Sequence, residues 1–367
     1  MDERIVGEIK LRAQRAIKEK VFSGCVIGLI RPNKTIVISV GTTDGSVPVV
    51  ENTVYDVASI TKSIPTASLA LMFIDQGKLS LGDLVRNHIP ELQNDYDATV
   101  EDLLMYRVRG PRMSQLADKT SDEIIEYVFA HGFDVVEGEP HYANLPAFLL
   151  GLILERVGGA TLSELAQRYF FDPLKMTDTT FFPAPLTSSK TRSNPIKPMR
   201  PHRFDGILSR IAPTEIVDGR EIRGIVHDES ARVFARSRRA VGHAGLFSTV
   251  PDLLKFLEAP LLNKKGFTKP LSDGALDNEK GFRKPLFSAL VEGAQKGLGW
   301  EVNREWMGRY RNEKTFGKTG FTGTSVVVDI ERGIGFVILS NRTYPHRPAD
   351  NSDINLFRID IADIVFG

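Results

Sequence analysis

Cysteine is all but absent from this sequence. Cys25 is the only one, so no intramolecular disulfide can form, and its place in the apolar run CVIGLI reads as a buried small hydrophobe. Long apolar runs are missing as well. After Pro146 the stretch AFLLGLIL extends for eight residues, well short of the ~20 that a bilayer-spanning helix needs. Net charge is nearly nil: 47 Lys and Arg against 46 Asp and Glu leave +1 at neutral pH. No overall field therefore draws the chain to nucleic acid or to an anionic membrane. The opening residues, MDERIVGEIKLRAQRAIKEKVF, carry acids at once and lack the apolar centre of a secretory leader, so a cytoplasmic location is expected.

Several chemical signatures are also lacking. The GKT at 317–319 would need glycine at 312 to make a phosphate-binding loop, and that position is Asn312. No G-x-S-x-G elbow occurs, which argues against an α/β-hydrolase. The seven histidines show neither H-x-H nor H-E-x-x-H spacing. Convergence of His227, Asp228 and His243 on a metal is conceivable, but satisfied structural histidines are the expectation, and no metal or other cofactor is called for.

What is present is ordinary material for a globular enzyme, 42% hydrophobic and 25% charged, with no internal repeat. The first residues form an amphipathic helix with Ile5, Ile9, Ala13, Ala16 and Ile17 near one face. GCVIGLI and TIVISVG read as two strands joined by a tight Pro-Asn turn. Residues 59–77 read as a helix stopped by Gly77. Helical patterns recur at 100–106, 121–131, 145–157, 161–170 and 250–258, with Thr caps at TLSEL and TVPDLLKFL. Residues 183–240 accumulate proline and arginine with weak periodicity and read as a long loop excursion. Within it the basic run KTRSNPIKPMRPHRF, 190–204, reads as a solvated loop or a cleft rim that attracts anionic substrates. From Gly297 onward GLGWEV, RYRNEKTFGKTG, GTSVVVDI and IGFVILSN are strand-like, and INLFRIDIADIVF closes the chain as a helix. The expected fold is α/β of the α+β kind: an antiparallel sheet built from residues 1–75 and 290–367, flanked by terminal helices, with a mainly helical domain, 76–289, inserted between. A ligand site belongs in the cleft between them.

Three short motifs carry chemistry. Ser59 and Lys62 are three apart, so on a helix they share a face. At the helix mouth Ser59 would feel the positive end of the dipole, and a lysine buried in a cleft loses proton affinity and can help remove the serine proton. The bland alternative is a helix-capping serine with a solvated lysine. Further on, Tyr142 and Asn144 stand in PHYANLPAF just before an apolar helix, and Lys318, Thr319 and Gly320 stand on a strand in FGKTGFTG. Tyr142 could be a core phenol, Asn144 the N-cap of its helix and Lys318 a solvated strand residue.

The order S-x-x-K, Y-x-N, K-T-G resembles the penicillin-recognising serine hydrolases, a group that includes class C β-lactamases, DD-peptidases and β-lactamase-like esterases. DQGKLSLGDLVRNHIPEL, ATVEDLLMYRV, RVGGATLSELAQRYFFDPLKMTDTTF and GHAGLFSTVPDLLKFL also read as family segments, and the likeness spans roughly 22–345. It implies Ser59 as a nucleophile that becomes acylated, with Lys62 and Tyr142 as the proton relay. It further implies an oxyanion hole from the backbone N–H groups of Ser59 and Phe321, and Asn144 bonded to a substrate amide or ester. Lys318 would face a substrate carboxylate, with Thr319 beside it. Gly320 would be required because a Cβ would crowd the substrate. The implied partner is a small-molecule or peptide substrate. The alternative is a protein of this fold that binds peptide or cell-wall fragments without turnover. Three departures stand out: LLMYRVRGP in place of the commoner LLTHTSG, arginines at 236, 238 and 239 where relatives run glycine-rich, and Pro65, which should kink the nucleophile helix.

Overall fold

The structure, a computed structural model, describes residues 2–183, 206–261 and 284–367. The basic run 190–204 lies outside the described residues. Six antiparallel strands form the main sheet: β1 (Gly24–Arg31), β2 (Lys34–Gly41), β3 (Glu301–Val302), β4 (Thr315–Gly320), β5 (Thr324–Asp329) and β6 (Ile334–Ser340). Their order is β2-β1-β6-β5-β4-β3, so the first hairpin docks onto the last strand, with Cys25 opposite Ser340 and Ile30 opposite Gly335. The central strands are buried on both faces, which explains their unbroken apolar composition. Successive side chains alternate sides: Val26, Ile30, Val326, Val328, Val337 and Leu339 join one core, and Ile27, Leu29, Val327, Phe336 and Ile338 the other.

The second core is closed by α1 (Asp2–Lys18) and a C-terminal helix (Ser352–Phe366, α8 below), through Ile5, Ile9, Ala13 and Ala16 against Phe357, Ile361 and Val365. On the other face lie α2 (Ser68–Asp75), α3 (Ser121–His131), α4 (Leu145–Gly158), α5 (Glu229–Arg236), α6 (Val250–Leu261) and α7 (Lys284–Gln295). Helix α6 crosses β1 so closely that a Cβ on Gly28 would lie 2.3 Å from Val250 Cγ1. Helix α4 is buried on every side from Leu145 to Leu154, as a helix apolar all round must be. Capping boxes at Thr99/Asp102, Thr120/Glu123 and Thr161/Glu164 start three helices, each cap contributing about 1 kcal/mol.

Three expectations need correction. Residues 59–77 are not one helix: a 3₁₀ turn (Ala58–Lys62) leads into a short π segment (Ser63–Ala67) and then α2, with Ile64 extended at φ −119°, ψ 106°. The ring of Pro65 drives the residue before it out of the helical region, which gives the expected kink and separates the turn carrying Ser59 from α2. The described part of 183–240 is not a loop either. It contains a hairpin (Glu215–Val217 with Arg220–Ile222) and α5. Asp218 and Gly219 turn that hairpin, both at positive φ, as a tight Asp-Gly turn demands. Last, GLGWEV supplies only the two residues of β3 as strand, and the strand in RYRNEKTFGKTG begins at Thr315.

Candidate active site

Ser59 lies at the floor of a cavity of about 440 Å³, with Tyr142, Asn144, Asp228, Glu301, Thr319, Gly320 and Phe321 around it. On a 3₁₀ turn residues three apart eclipse one another, which brings Lys62 Nζ to 2.9 Å from Ser59 Oγ. The pairing foreseen for an α-helix therefore arises from a tighter turn. A five-residue 3₁₀ run supplies little of the dipole expected at a helix mouth. Lys62 is 1% exposed and also donates to the His243 carbonyl at 2.8 Å. Loss of water lowers its pKa to about 7, with Asp228 opposing and Lys318 adding to the fall. A buried amine that is half deprotonated near neutrality is chemically a base.

The backbone entering this turn is held by a carboxylate the sequence reading overlooked. Ala58 takes φ +49°, rare for a residue with a side chain. Buried Asp56 accepts from Ala58 N at 2.8 Å and from His227 N at 2.7 Å. Burial pushes the Asp56 pKa up to about 6, against those two bonds. An acid inside the apolar run VYDVASI was the available signal for a paired, buried carboxylate.

Tyr142 overhangs the cavity. It is 55% exposed, and its hydroxyl reaches Ser59. Desolvation raises the phenol to about 12 while Lys318 pulls it down. Tyr106 lies beside it, ring centroids 5.6 Å apart. Lys318 is buried rather than solvated, at the wall of a neighbouring cavity of about 430 Å³. It is 1% exposed, ion-paired to Glu301 at 3.1 Å, and sits 4.7 Å and 5.1 Å from the ring centres of Tyr142 and Tyr106. Glu301 also accepts from Trp306 Nε1 at 2.8 Å. Asn144 occupies the N-cap position of α4 without a side-chain cap bond, and its amide donates instead to Asp228 Oδ2 at 3.0 Å. Burial would raise Asp228, but His243, Ala231 N and Ser230 outweigh it and hold this carboxyl well below the usual range. His227 lies 3.6 Å from Glu215 and stacks on Phe321, so the two histidines serve different carboxylates. Among the described residues no cluster of three metal-ligating side chains occurs.

The β4–β5 hairpin tip is tied to the segment that leads into Ser59. Thr322 Oγ1 donates to Asp56 O at 2.7 Å and Thr324 Oγ1 to Val57 O at 3.1 Å. Gly320 is needed for this closeness, though not for the reason expected: a Cβ there would meet Val57 O at 2.4 Å and Thr324 Oγ1 at 2.1 Å, both atoms of the protein itself. Gly320→Ala is accordingly expected to cost about 1–3 kcal/mol of stability by overpacking, read as a lower urea midpoint with unchanged slope. Phe321 is 42% exposed at the cavity mouth, and Thr319 is half-buried on its wall.

Ser59, Tyr142, Asn144, Thr319, Gly320 and Phe321 thus line one cavity, with Lys62 and Lys318 against it, from turns and strands far apart in the chain. The family described as Beta-lactamase matches residues 12–359. The chain belongs to that family. A putative D-alanyl-D-alanine carboxypeptidase of Escherichia coli K12 is 29% identical over 327 residues, covering 83% of this chain and 72% of the relative. An N-acetylmuramyl-L-alanine amidase of Bacillus subtilis 168 is 27% identical with coverage of 83% and 70%. Among solved structures, a β-lactamase/D-alanine carboxypeptidase from Pseudomonas syringae superposes with TM-score 0.70 at 19% identity, over 98% of this chain and 99% of that one. The β-lactamase fold accounts for the sheet of both chain ends and the helices laid over it. Among the described residues no single helix is long and apolar enough to cross a membrane.

Proposed function

We propose that this beta-lactamase family member is a serine hydrolase that acylates Ser59 with an amide, ester or lactam carbonyl of a small substrate or peptide. The observation that carries this reading is the 2.9 Å approach of a buried, easily deprotonated Lys62 amine to the Ser59 hydroxyl. Lys62 accepts the hydroxyl proton as Oγ bonds to the carbonyl carbon, and the carbonyl oxygen becomes an anion held by the Ser59 and Phe321 N–H groups. Collapse of this intermediate breaks the bond to the leaving nitrogen or oxygen. The Tyr142 phenol, protonated throughout the neutral range, gives that atom its proton and is reprotonated from Lys62. Water then attacks the ester with the same two groups working in reverse. Asn144, fixed by Asp228, holds the substrate amide or ester. Lys318, whose ion-pair partner is Glu301, acts on the phenol, and a substrate carboxylate reaches it only in competition with Glu301. The names of the relatives, a carboxypeptidase and an amidase, favour an amide in a cell-wall type of peptide.

Incubation with a fluorescent penicillin and with an activated p-nitrophenyl ester tests this. A mass gain equal to the acyl group, on the peptide containing Ser59, is expected. Its absence with every acyl donor, alongside reversible binding, would favour a non-turnover binding protein. Because the free amine is required, kcat/KM is expected to fall tenfold per pH unit below about 7 and to level off above it. An acidic limb centred near 10 would mean that Lys62 keeps an ordinary ammonium and is not the base.

A further inference from the structure

Arg358 comes up from α8 beneath the tip of the β4–β5 hairpin and also lines the cavity. It is 3% exposed. Its Nη2 donates to Thr324 O at 2.8 Å and to Gly320 O at 3.1 Å, and its Nη1 donates to Asn355 Oδ1 at 2.8 Å. Its Nε is buried with no partner among the described residues. No carboxylate of the described residues lies at ion-pair distance from it. Burial, with Arg342 nearby, lowers its pKa to about 9. A guanidinium buried on neutral carbonyl oxygens, with no carboxylate to balance it, is an expensive arrangement.

What it holds gives the reason. Gly320 C=O belongs to the same peptide unit as the Phe321 N–H. In a planar trans peptide the C=O and N–H point in opposite directions, so fixing one aims the other. Gly320 O also accepts from Gly323 N at 3.1 Å and faces β5, where Gly320 pairs with Thr324. The Phe321 N–H therefore points away from β5, on the side where the hairpin packs against Val57 and Ala58, next to Ser59. A cation bonded to the carbonyl end draws electron density from the amide and strengthens its N–H as a donor.

We propose that Arg358 is a positioning residue for the oxyanion hole: it fixes and polarises the Gly320–Phe321 peptide so that the Phe321 N–H meets the substrate oxygen as its negative charge develops. This rests on the acyl-enzyme reading above. The interaction is made in the transition state and hardly at all with a neutral ground-state carbonyl, so it belongs in kcat rather than KM.

The test compares Arg358→Met, Arg358→Lys and Asn355→Ala on a p-nitrophenyl ester, with active sites counted by covalent label so that misfolded protein drops out. Phenylboronic acid, whose Ser59 adduct places an oxygen where the oxyanion forms, is the second probe. Arg358→Met is expected to lower kcat per labelled site roughly 10- to 100-fold with KM nearly unchanged, and to weaken phenylboronate binding in proportion. Arg358→Lys should fall between it and wild type. Asn355→Ala, which loosens the guanidinium without removing it, should lose several-fold in kcat and supplies the answer if the arginine variants do not fold. Unchanged kcat per labelled site in the variants that fold, or a lost kcat with undiminished phenylboronate affinity, overturns the positioning role while leaving Ser59 acylation intact. A wild-type enzyme that takes no label overturns both.

Discussion

Ser59→Ala is expected to abolish acyl labelling and to reduce ester turnover by about 10⁴-fold or more, since losing a nucleophile that acts as a unit with its base removes nearly all the chemistry. The fold should tolerate the change. Ser59 is partly exposed, its hydroxyl meets Lys62 Nζ and the Tyr142 hydroxyl, and the turn around it is held by Asp56, Thr61 and the hairpin tip rather than by its own hydroxyl. The urea midpoint should therefore stay near that of wild type, and reversible binding of a peptide substrate should persist. Residual labelling at wild-type rates would place the nucleophile elsewhere and remove the basis of the proposed function.

Lys62→Met is expected to have two opposite effects. Turnover should drop by about 10³-fold or more, because the Ser59 hydroxyl loses its base. Stability should rise, on the order of 2 kcal/mol near neutral pH, because a fully buried amine is replaced by an apolar side chain of similar length. The sign follows from proton binding. The Lys62 pKa falls from 10.5 unfolded to about 7 folded, so between these values the unfolded chain holds more protons than the native one. Wild-type stability consequently rises with pH across that window. Methionine has no such dependence, so the advantage of Lys62→Met should be greatest below pH 7 and shrink toward pH 10.5. Urea melts of both proteins at several pH values read this directly. A variant less stable than wild type at pH 6 would mean that Lys62 is held by more than its two hydrogen bonds.

Much of the architecture was legible because it rests on short-range pattern. Alternation along VVVDI and FVILS, the apolar run in β1 and the amphipathic first helix specify strands and helices that pack as expected. The three short motifs were legible as residue types in order. What the residues could not disclose was partnership across the chain. Lys318 taken alone reads as a solvated strand residue, and by resemblance as substrate-facing, until β3 brings Glu301 to it. Asn144 reads as a cap until α5 presents Asp228. Arg358 looks like a surface residue of a helix, since nothing in INLFRIDIAD indicates that carbonyls of a distant hairpin lie above it. The kink at Ile64 was legible from Pro65, and the Asp218-Gly219 hairpin, which follows from an equally local rule about tight turns, was readable in principle.

The bonds from Thr322 and Thr324 to Asp56 and Val57 join segments 266 and 267 positions apart in the chain. Ser59 and Lys62 are synthesised well before the β4–β5 hairpin that walls their cavity. A nascent chain ending before β4 carries Ser59 and Lys62 without that wall. Assembly of this cavity is thus coupled to long-range folding, because no local element of the chain builds it alone.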